Sequence, residues 1–438
     1  MSRRLLFPDA LRGFFILNVV WLHALNSLVY GNDVSTADRV NPLVFALLAP
    51  VAILATWAPV FLMLSGIVNA YSMHNAVKGL RPEKIDRALG RALRAALANN
   101  AMIYLLSVLN MTCLHHPMHY NGALRHTFIT GSLRSGTWQS YSPQLLFYND
   151  ALATIAITGA VTSIILYLLW RNGGTGKTQR SMNVLIALAA AWVAVSPFLH
   201  TKLDAPLYAA LDAHYWIKAL ALKFVIGPNQ SPFPNVAYGL LGAVFGIAVS
   251  EGVEIQRIRR YGYGTAAVSL SGAAILFIAQ GLTAPEVALP TLPIRVHLLN
   301  LGLMMCLCTR LIDKVEYQPA ARRVVIARKT TGLRRFGMVA LSVFLLEGPV
   351  AVLLGRIYVP LWNDTGVFPR SAMAIVPFLL LLIAVWNTVL RLWEKVHFQY
   401  GFEWAIVNVV GRVRGRKSER LNPVAVLHEP TATAARIE

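Results

Sequence analysis

The sequence contains few charged residues for its length. Of its 438 residues only 14% are Asp, Glu, Lys or Arg, whereas 56% are hydrophobic. An ordinary soluble domain carries about 25% charged residues, because its surface has to be hydrated. The shortage excludes an ordinary soluble protein and indicates a chain that lies largely within a membrane.

Cysteine and metal-binding motifs are also scarce. The three cysteines are Cys113, Cys306 and Cys308, and the last two lie in an apolar run, which excludes a disulfide framework. No HExxH pattern and no regular zinc-finger spacing occurs, so from motif spacing we expect no metal site. The first apolar stretch follows Arg3 and Arg4 but lacks a small-x-small cleavage pattern. We therefore expect it to be a retained anchor.

Long apolar runs recur along the whole chain. A helix needs about 20 mostly apolar residues to cross the hydrocarbon core, and about ten stretches meet this criterion. They are 9–30, 44–71, 93–112, 148–170, 183–199, 235–250, 264–281, 296–312, 336–356 and 371–393. Between the fifth and sixth, the Pro-rich segment 200–234 suits a re-entrant or interfacial piece. The sequence thus predicts an all-α, polytopic integral membrane helical bundle of about ten transmembrane helices.

Two patterns within these stretches predict contacts between helices. In "GLLGAVFG" small residues recur every four positions, which is typical of tight helix packing; they are Gly239, Gly242, Ala243 and Gly246. The third stretch carries a polar series, for which hydrogen bonds between helices are the simplest explanation. Its members are Asn99, Asn100, Tyr104, Ser107 and Asn110.

Acidic residues are half as numerous as basic ones, 20 against 40, which gives a net charge of +20. Most basic residues fall in alternate connections, such as "KGLRPEKIDRALGR", "RNGGTGKTQR" and "ARRVVIARKTTGLRR". The other connections hold eight, namely Arg39, Arg125, Arg134, Lys202, Lys218, Lys223, Arg295 and Arg370. The positive-inside rule then predicts cytoplasmic N- and C-termini in an inner membrane. Attraction to lipid headgroups accounts for the charge without a nucleic-acid partner, and the basic face also suits a coenzyme carrying several phosphates.

The C-terminal region differs from the preceding spans. "LWEKVHFQYGFEWAIVNVVGR" mixes apolar, aromatic and basic residues, which predicts a helix lying on the inner leaflet. We expect residues 1–411 to form one transmembrane domain that includes this helix. The polar residues 412–438 are expected to be a disordered cytoplasmic tail.

The first stretch, "PDALRGFFILNVVWLHALNSLVY", carries polar residues on one helical face. Eleven residues advance a helix by three turns plus about 20°, so Arg12 and His23 face the same side, about 16 Å apart along the axis. Asn26 continues this face toward the outer side. We expect the opposite face, including Phe15 and Val20, to contact lipid.

Each ionisable residue in the spans has two interpretations. Asp9 and Arg12 are either an ion pair that fixes the helix end or part of a functional site. His23 is either a neutral, hydrogen-bonded packing residue or a group that moves protons. Glu347, in the ninth stretch, is either a protonated structural group or a carboxylate that orients His23.

Two polar groups near other spans are further site candidates. The motif "CLHHPMH" lies in the predicted outer loop and supplies alternative catalytic histidines, namely His115, His116 and His119. The eighth stretch opens with residues that either bind a hydroxylated acceptor or anchor the helix at the interface, namely Arg295, His297 and Asn300.

Five segments resemble the membrane acyltransferase superfamily. "DALRGFFILNVVWLHA" resembles the first span of acyltransferase family 3, in which an Arg is followed after ten residues by a His, and Arg12 and His23 match that spacing. "FLMLSG" (61–66) fits the second span. "SPFPNVAYGLLGAVFGI" (231–247), "RRFGMVALSVFLLEGPV" (334–350) and "FQYGFEWAI" (398–406) are similar to the heparan-alpha-glucosaminide N-acetyltransferase-like bacterial membrane proteins.

The resemblance implies an activity and assigns roles. An acyl group, expected to be acetyl, would pass from cytosolic acetyl-CoA or another acyl-CoA to an acceptor on the outer side. The acceptor would be a hydroxyl or amine of a sugar or glycan of the cell envelope. The resemblance implies no tightly bound cofactor. His23 would act as general base or carry the acyl group, with Glu347 as its partner. The residues expected to bind substrate are Asp9, Arg12, Asn26, Ser65 and Asn69.

Other function classes stay open. A proton-coupled transporter, or a flippase for a lipid-linked or small polar substrate, would use Arg12, His23 and Glu347 for coupling, although the sequence lacks the internal repeat common in transporters. A catalytically silent membrane partner protein is a third class. The sequence leaves the assembly open between a monomer and a homo-oligomer.

Overall fold

The computed structural model describes residues 4–29, 58–120, 123–280, 293–362, 368–369, 371–415 and 421–428. Within these ranges nine helices are long and apolar enough to cross a membrane. They are Phe7–Leu28, Pro82–Leu114, Ala151–Trp170, Thr178–Asp212, Pro232–Glu251, Ile255–Gln280, Ile294–Glu316, Ala340–Leu361 and Met373–Lys395. The chain is therefore a multi-pass, all-α membrane protein, which confirms the predicted class.

The elements are labelled in chain order. The helices are α1 (Phe7–Ala24), α2 (Pro59–Asn75), α3 (Pro82–Leu109), α4 (Phe128–Ser135), α5 (Ala151–Trp170), α6 (Thr178–Asp212), α7 (Trp216–Ile226), α8 (Pro232–Glu251), α9 (Ile255–Gln280), α10 (Ile294–Leu311), α11 (Ala320–Lys329), α12 (Thr331–Met338), α13 (Ala340–Tyr358), α14 (Ala372–Lys395) and α15 (Phe402–Val413). A short antiparallel hairpin joins β1 (Met118–Tyr120) to β2 (Ala123–Arg125). Short π-helical segments are Leu25–Val29, Asn110–Leu114, Ile312–Glu316 and Val424–His428, and short 3-10 segments are Pro143–Phe147, Gly174–Gly176 and Val359–Leu361.

Two predicted spans differ from the observed helices. The second, 44–71, lies outside the described residues up to position 57, and α2 covers the rest and continues to Asn75. The fifth, 183–199, is part of the 35-residue helix α6, which continues through Pro197 and Pro206. Proline donates no backbone hydrogen bond, yet a long helix can accommodate such interruptions where its neighbours compensate for them.

Glycines let α2 and α8 approach at backbone distance. A Cβ atom added to Gly242 would lie 2.1 Å from the carbonyl oxygen of Met63, and one added to Gly246 would lie 2.3 Å from that of Ile67. Almost all of α8 is buried. This contact confirms the packing role predicted for the small residues of "GLLGAVFG".

Helix α1 lies between two hydrophobic clusters. Phe7, Leu11 and Phe15 pack in a cluster with α2, α8 and α10, whereas Ile16 and Val20 pack in another with α12, α13 and α14. The prediction that Phe15 and Val20 face lipid was wrong, because both are buried within the protein. The polar face of α1 therefore lies beside helices of both clusters, not beside one helix alone.

A second pair of glycines fixes α1 against α12. A Cβ on Gly13 would meet the carbonyl oxygen of Leu333 at 1.8 Å, and a Cβ on Gly337 would meet that of Asp9 at 1.9 Å. These reciprocal contacts set the position of α1 relative to the chain that enters α13.

The C-terminal region packs against the bundle. Helix α15, where an interfacial helix was predicted, contacts α3 and α13. Within the segment predicted as a disordered tail, Val424–His428 form a short helical segment. Arg334 donates a hydrogen bond to the Val426 carbonyl, and Nε2 of His428 lies 2.6 Å from Oε1 of Glu394. Residues 416–420 and 429–438 of that tail lie outside the described ranges.

Candidate functional site

A cavity of about 1100 Å³ extends along α1. Residues from Arg4 to Asn26 line it, so it follows the whole helix, whose 18 residues span about 27 Å. Its other walls come from α2, α3, α13 and α15. Arg12 and His23 both line it, which agrees with the shared face expected from their spacing. Ser65, Asn69 and Asn26 line the same cavity.

At one end of the cavity, two histidine side chains contact a single carboxylate. Nδ1 of His23 lies 2.6 Å from Oε1 of Glu347, and Nε2 of His116 lies 3.3 Å from Oε2. The three residues come from α1, from the chain after α3, and from α13. We call His23, His116 and Glu347 the His–Glu–His cluster.

The hydrogen bonds of this cluster determine which nitrogen can accept a proton. An ionised carboxylate only accepts, so His23 Nδ1 and His116 Nε2 each donate to Glu347. The Nε2 atom of neutral His23 then keeps a free lone pair. The side chain of His23 is 29% exposed, against 5% for Glu347 and 6% for His116, so the accessible base of the cluster is His23.

The segment that carries His116 is held through its backbone carbonyls. Thr127 and Thr130 donate hydroxyl hydrogen bonds of 2.5 Å to the carbonyls of His115 and Leu114. Gly348 of α13 permits the approach, because a Cβ there would lie 2.9 Å from the Leu114 carbonyl oxygen.

His115 adds a second imidazole to the cavity wall. Its Nδ1 lies 2.7 Å from the His116 carbonyl and therefore donates to it. Burial lowers the pKa of His115 to about 4, so this imidazole is neutral near pH 7. Its ring centre lies 6.4 Å from that of His23.

Arginines line the opposite end of the cavity. Arg4 lies just before α1, Arg12 lies in the first half of α1, and Arg91 lies in the first half of α3, which runs from there toward His115. Asp9 is buried and pairs mainly with Arg4, at 2.7 Å, while its distance to Arg12 is 3.8 Å. Arg12 therefore keeps donors for a ligand, and we call Arg4, Arg12 and Arg91 the arginine end.

Glu403 connects α15 to the beginning of α13. Its carboxylate accepts hydrogen bonds from the backbone N–H groups of Leu341, at 2.6 Å, and Ser342, at 3.0 Å, and from the Ser342 hydroxyl. Burial raises the pKa of the Glu403 carboxyl, and these hydrogen bonds oppose the rise. A carboxylate at a helix N-terminus satisfies backbone donors and interacts favourably with the helix dipole. Glu403 thus fixes the helix that carries Glu347.

Three candidates lie away from this cavity. Arg295, His297 and Asn300 are buried in α10 and are not among the described residues that line it. Arg295 donates to Gln280 at 2.8 Å, and Tyr238 donates to the His297 carbonyl at 2.9 Å. Within the described residues this group contacts neighbouring helices rather than the cavity, and its two interpretations, acceptor binding and helix anchoring, stay predictions.

One candidate remains, His119, and two residues near the cavity, Asp150 and Glu403, were not predicted from the sequence. The backbone of His119 lies in β1, paired with Leu124. Asp150 also lines the histidine end of the cavity and accepts from Ser107 and Asn110, which confirms hydrogen bonding between helices for those two. Asp150 and Glu403 precede or begin helices, so the sequence shows them only as ordinary helix-terminal acids.

The His–Glu–His cluster has the composition of a metal site. One nitrogen from each imidazole and one oxygen of Glu347 all lie within 4.8 Å of one another. Motif spacing gives no sign of this set, because its members lie at positions 23, 116 and 347.

No protein-family description, curated protein or solved structure matches this chain. The fold and the site define it as a multi-pass helical membrane protein with a buried His–Glu–His cluster at one end of a long cavity and arginines at the other.

Proposed function

We propose that the protein is an integral membrane acyltransferase that moves an acyl group from acyl-CoA to a hydroxyl or amine of a sugar or glycan. The observation that carries the proposal is the single cavity that joins an arginine end to a hydrogen-bonded His–Glu pair. The five segments that resemble membrane acyltransferases support the same class. The distribution of basic residues supports an orientation with the arginine end at the cytoplasmic face of an inner membrane.

The arginine end is suited to the phosphates of the donor. Guanidinium groups bind phosphate oxygens through paired, charge-assisted hydrogen bonds. Arg12 and His23 are about 16 Å apart along α1, so a donor bound by its phosphates at Arg12 extends its acyl arm along the cavity toward His23. Acetyl-CoA is a substrate in this scheme, and no resident cofactor is needed.

His23 supplies the base for the transfer. Its Nε2 takes the proton of the acceptor as the acceptor oxygen or nitrogen attacks the thioester carbonyl carbon. The C–S bond then breaks, and the imidazolium returns its proton to the departing sulfur. Glu347 orients the ring through Nδ1 and stabilises the imidazolium, as the carboxylate does in a hydrolase triad. A covalent acyl-His23 intermediate is the alternative route to the same products.

The test is transfer from labelled acetyl-CoA by the full chain in proteoliposomes supplied with envelope glycan. His23→Ala should lower the rate by about 10²–10⁴-fold, the range for loss of a general base. Glu347→Gln should also lower it, while the control His200→Ala should not, because His200 binds Asp204 and the Phe233 carbonyl elsewhere. Undiminished transfer by His23→Ala would refute the assignment of the base.

A proton-coupled transporter is the second candidate, because ionisable residues within membrane spans commonly mark proton paths. The cavity that follows the full length of α1 also suits a translocated substrate. Flux of a polar substrate without acyl transfer, abolished in Glu347→Gln, would favour this class over the first.

A further inference from the structure

The His–Glu–His cluster contains the ligand set of a zinc site. Catalytic zinc sites use three protein ligands, and two histidines with one glutamate is an established combination. Here the fold brings the three residues together, although no sequence motif links them. The set is mostly buried, so a bound ion would be shielded from bulk water.

The distances fit tetrahedral coordination after small side-chain movements. Zinc–nitrogen and zinc–oxygen bonds of about 2.0–2.2 Å place neighbouring ligand atoms about 3.3–3.5 Å apart in a tetrahedron. Nε2 of His116 and Oε2 of Glu347 are 3.3 Å apart, which already corresponds to one edge. One ligand atom from each of the three residues lies within 4.8 Å of the other two, so movements of about 1.5 Å or less bring the set to these distances.

A fourth coordination position is available on one side. His23 is the exposed member of the cluster, and its ring faces the cavity. Water or a substrate atom can therefore occupy the position that the protein leaves open, as in other three-ligand sites.

The charge distribution favours a cation at this end. Glu347 supplies a negative charge, and Asp150 lines the same end of the cavity. The arginines that line the cavity at α1 lie at the other end. Two imidazoles with one carboxylate suit Zn²⁺, Cu²⁺ or Ni²⁺, whereas Mg²⁺ and Ca²⁺ prefer oxygen ligands.

We propose that His23, His116 and Glu347 bind a divalent transition-metal ion, Zn²⁺ above all, and that the bound ion inactivates the base. A ring that gives one nitrogen to the metal carries its proton on the other nitrogen, so His23 has no lone pair left for an acceptor proton. Binding of the ion does not depend on the proposed acyl transfer. The inhibitory effect rests on it, and the two parts are tested separately.

The binding test uses the purified full chain in nanodiscs after chelator treatment. Cobalt serves as the probe, because it occupies zinc sites and shows strong visible absorption when it is tetrahedral. We expect one equivalent of tetrahedral Co²⁺, displaced by Zn²⁺. His116→Ala and Glu347→Gln should each weaken binding by at least about tenfold, since even a residue behind the ligands typically contributes that much.

The matched control is His200→Ala. His200 lies 3.0 Å from Asp204 and forms a His–carboxylate pair with it. Among the described residues no third metal ligand lies close to this pair. This variant should bind Co²⁺ like the wild type. Absence of the tetrahedral spectrum in the wild type, or equal affinity in the wild type and in folded His116→Ala and Glu347→Gln, would overturn the site.

The inhibition test adds Zn²⁺ to the transfer assay, with chelator to reverse it. Loss of transfer at the zinc concentration that displaces Co²⁺ supports the inhibitory part. Full transfer by the zinc-loaded protein would overturn that part and leave the metal site standing. A protein that shows no transfer under any condition refutes the proposed function, while the cobalt spectra still decide the metal site.

Discussion

The contact between Gly337 and α1 should control both stability and the histidine site. A Cβ on Gly337 would lie 1.9 Å from the Asp9 carbonyl oxygen, whereas ordinary contact begins near 3.4 Å. The Gly337→Ala variant must therefore separate α1 from α12 by about 1.5 Å or strain the backbone by a similar amount. Such overpacking typically costs about 1–3 kcal/mol.

The same displacement acts on the His23–Glu347 hydrogen bond. That bond is 2.6 Å long and joins α1 to α13, the helix that follows α12. A shift of about 1.5 Å exceeds the tolerance of a hydrogen bond, whose donor–acceptor distance rarely passes about 3.2 Å. We expect transfer to fall with the loss of stability, although Gly337 is ten residues from Glu347.

The matched control lies in the same helix. Gly332 is exposed in α12, and a Cβ there meets no other atom within 4 Å. Gly332→Ala should leave stability unchanged or raise it by up to about 1 kcal/mol, because alanine favours helix. Unfolding in denaturant, followed by helical circular dichroism of the protein in detergent, measures both variants. Equal stability of Gly337→Ala and Gly332→Ala would refute the close-contact argument.

Three further perturbations test other parts of the site. Glu403→Ala leaves two backbone donors of α13 unsatisfied and should lower the free energy of unfolding by about 1–3 kcal/mol. As a control, substitution of the exposed Glu254 by Ala should change the free energy of unfolding by no more than about 0.5 kcal/mol. Equal losses in both variants would contradict the capping role of Glu403. Arg12→Gln should raise KM for acyl-CoA about tenfold or more with little change in kcat, since a hydrogen bond to a charged group contributes about 1.5–3 kcal/mol. A fall confined to kcat would show that Arg12 does not bind the donor. His115→Gln should flatten the pH dependence of stability. The pKa of His115 is about 4 in the folded chain and about 6.5 in the unfolded chain, so the unfolded state binds more protons between these values and stability falls as pH drops from 6.5 to 4. An unchanged slope in unfolding measured across this range would show that another group is responsible.

The sequence predicts the helical class and part of the site for simple physical reasons. Apolar length identifies most membrane helices, and helical periodicity places Arg12 and His23 on one face. Glu347 is recognisable because a carboxylate in a membrane span needs a partner. Each of these inferences uses only local spacing or composition.

The partners themselves depend on contacts between distant segments. His116 reaches Glu347 in a segment whose carbonyls at Leu114 and His115 accept hydroxyl hydrogen bonds from Thr130 and Thr127, contacts that no periodicity reveals. The polar series in α10 has two interpretations in the sequence, since a stripe that faces a neighbouring helix has the same spacing as one that faces a cavity. Phe15 and Val20 likewise look like lipid-facing residues until a second layer of helices covers them.

The backbone, rather than the ion pairs, fixes the geometry of the cluster. Buried ion pairs add little net stability, because the cost of removing charges from water offsets their attraction. The Gly13 and Gly337 contacts hold α1, the Glu403 hydrogen bonds hold α13, and Gly348 admits the chain that carries His116. Apart from the packing of Gly348 against the His116 ring, these contacts involve no member of the cluster. His23 and Glu347 can therefore exchange protons or accept a metal ion without losing the frame that brings them together, as the proposed base role of His23 requires.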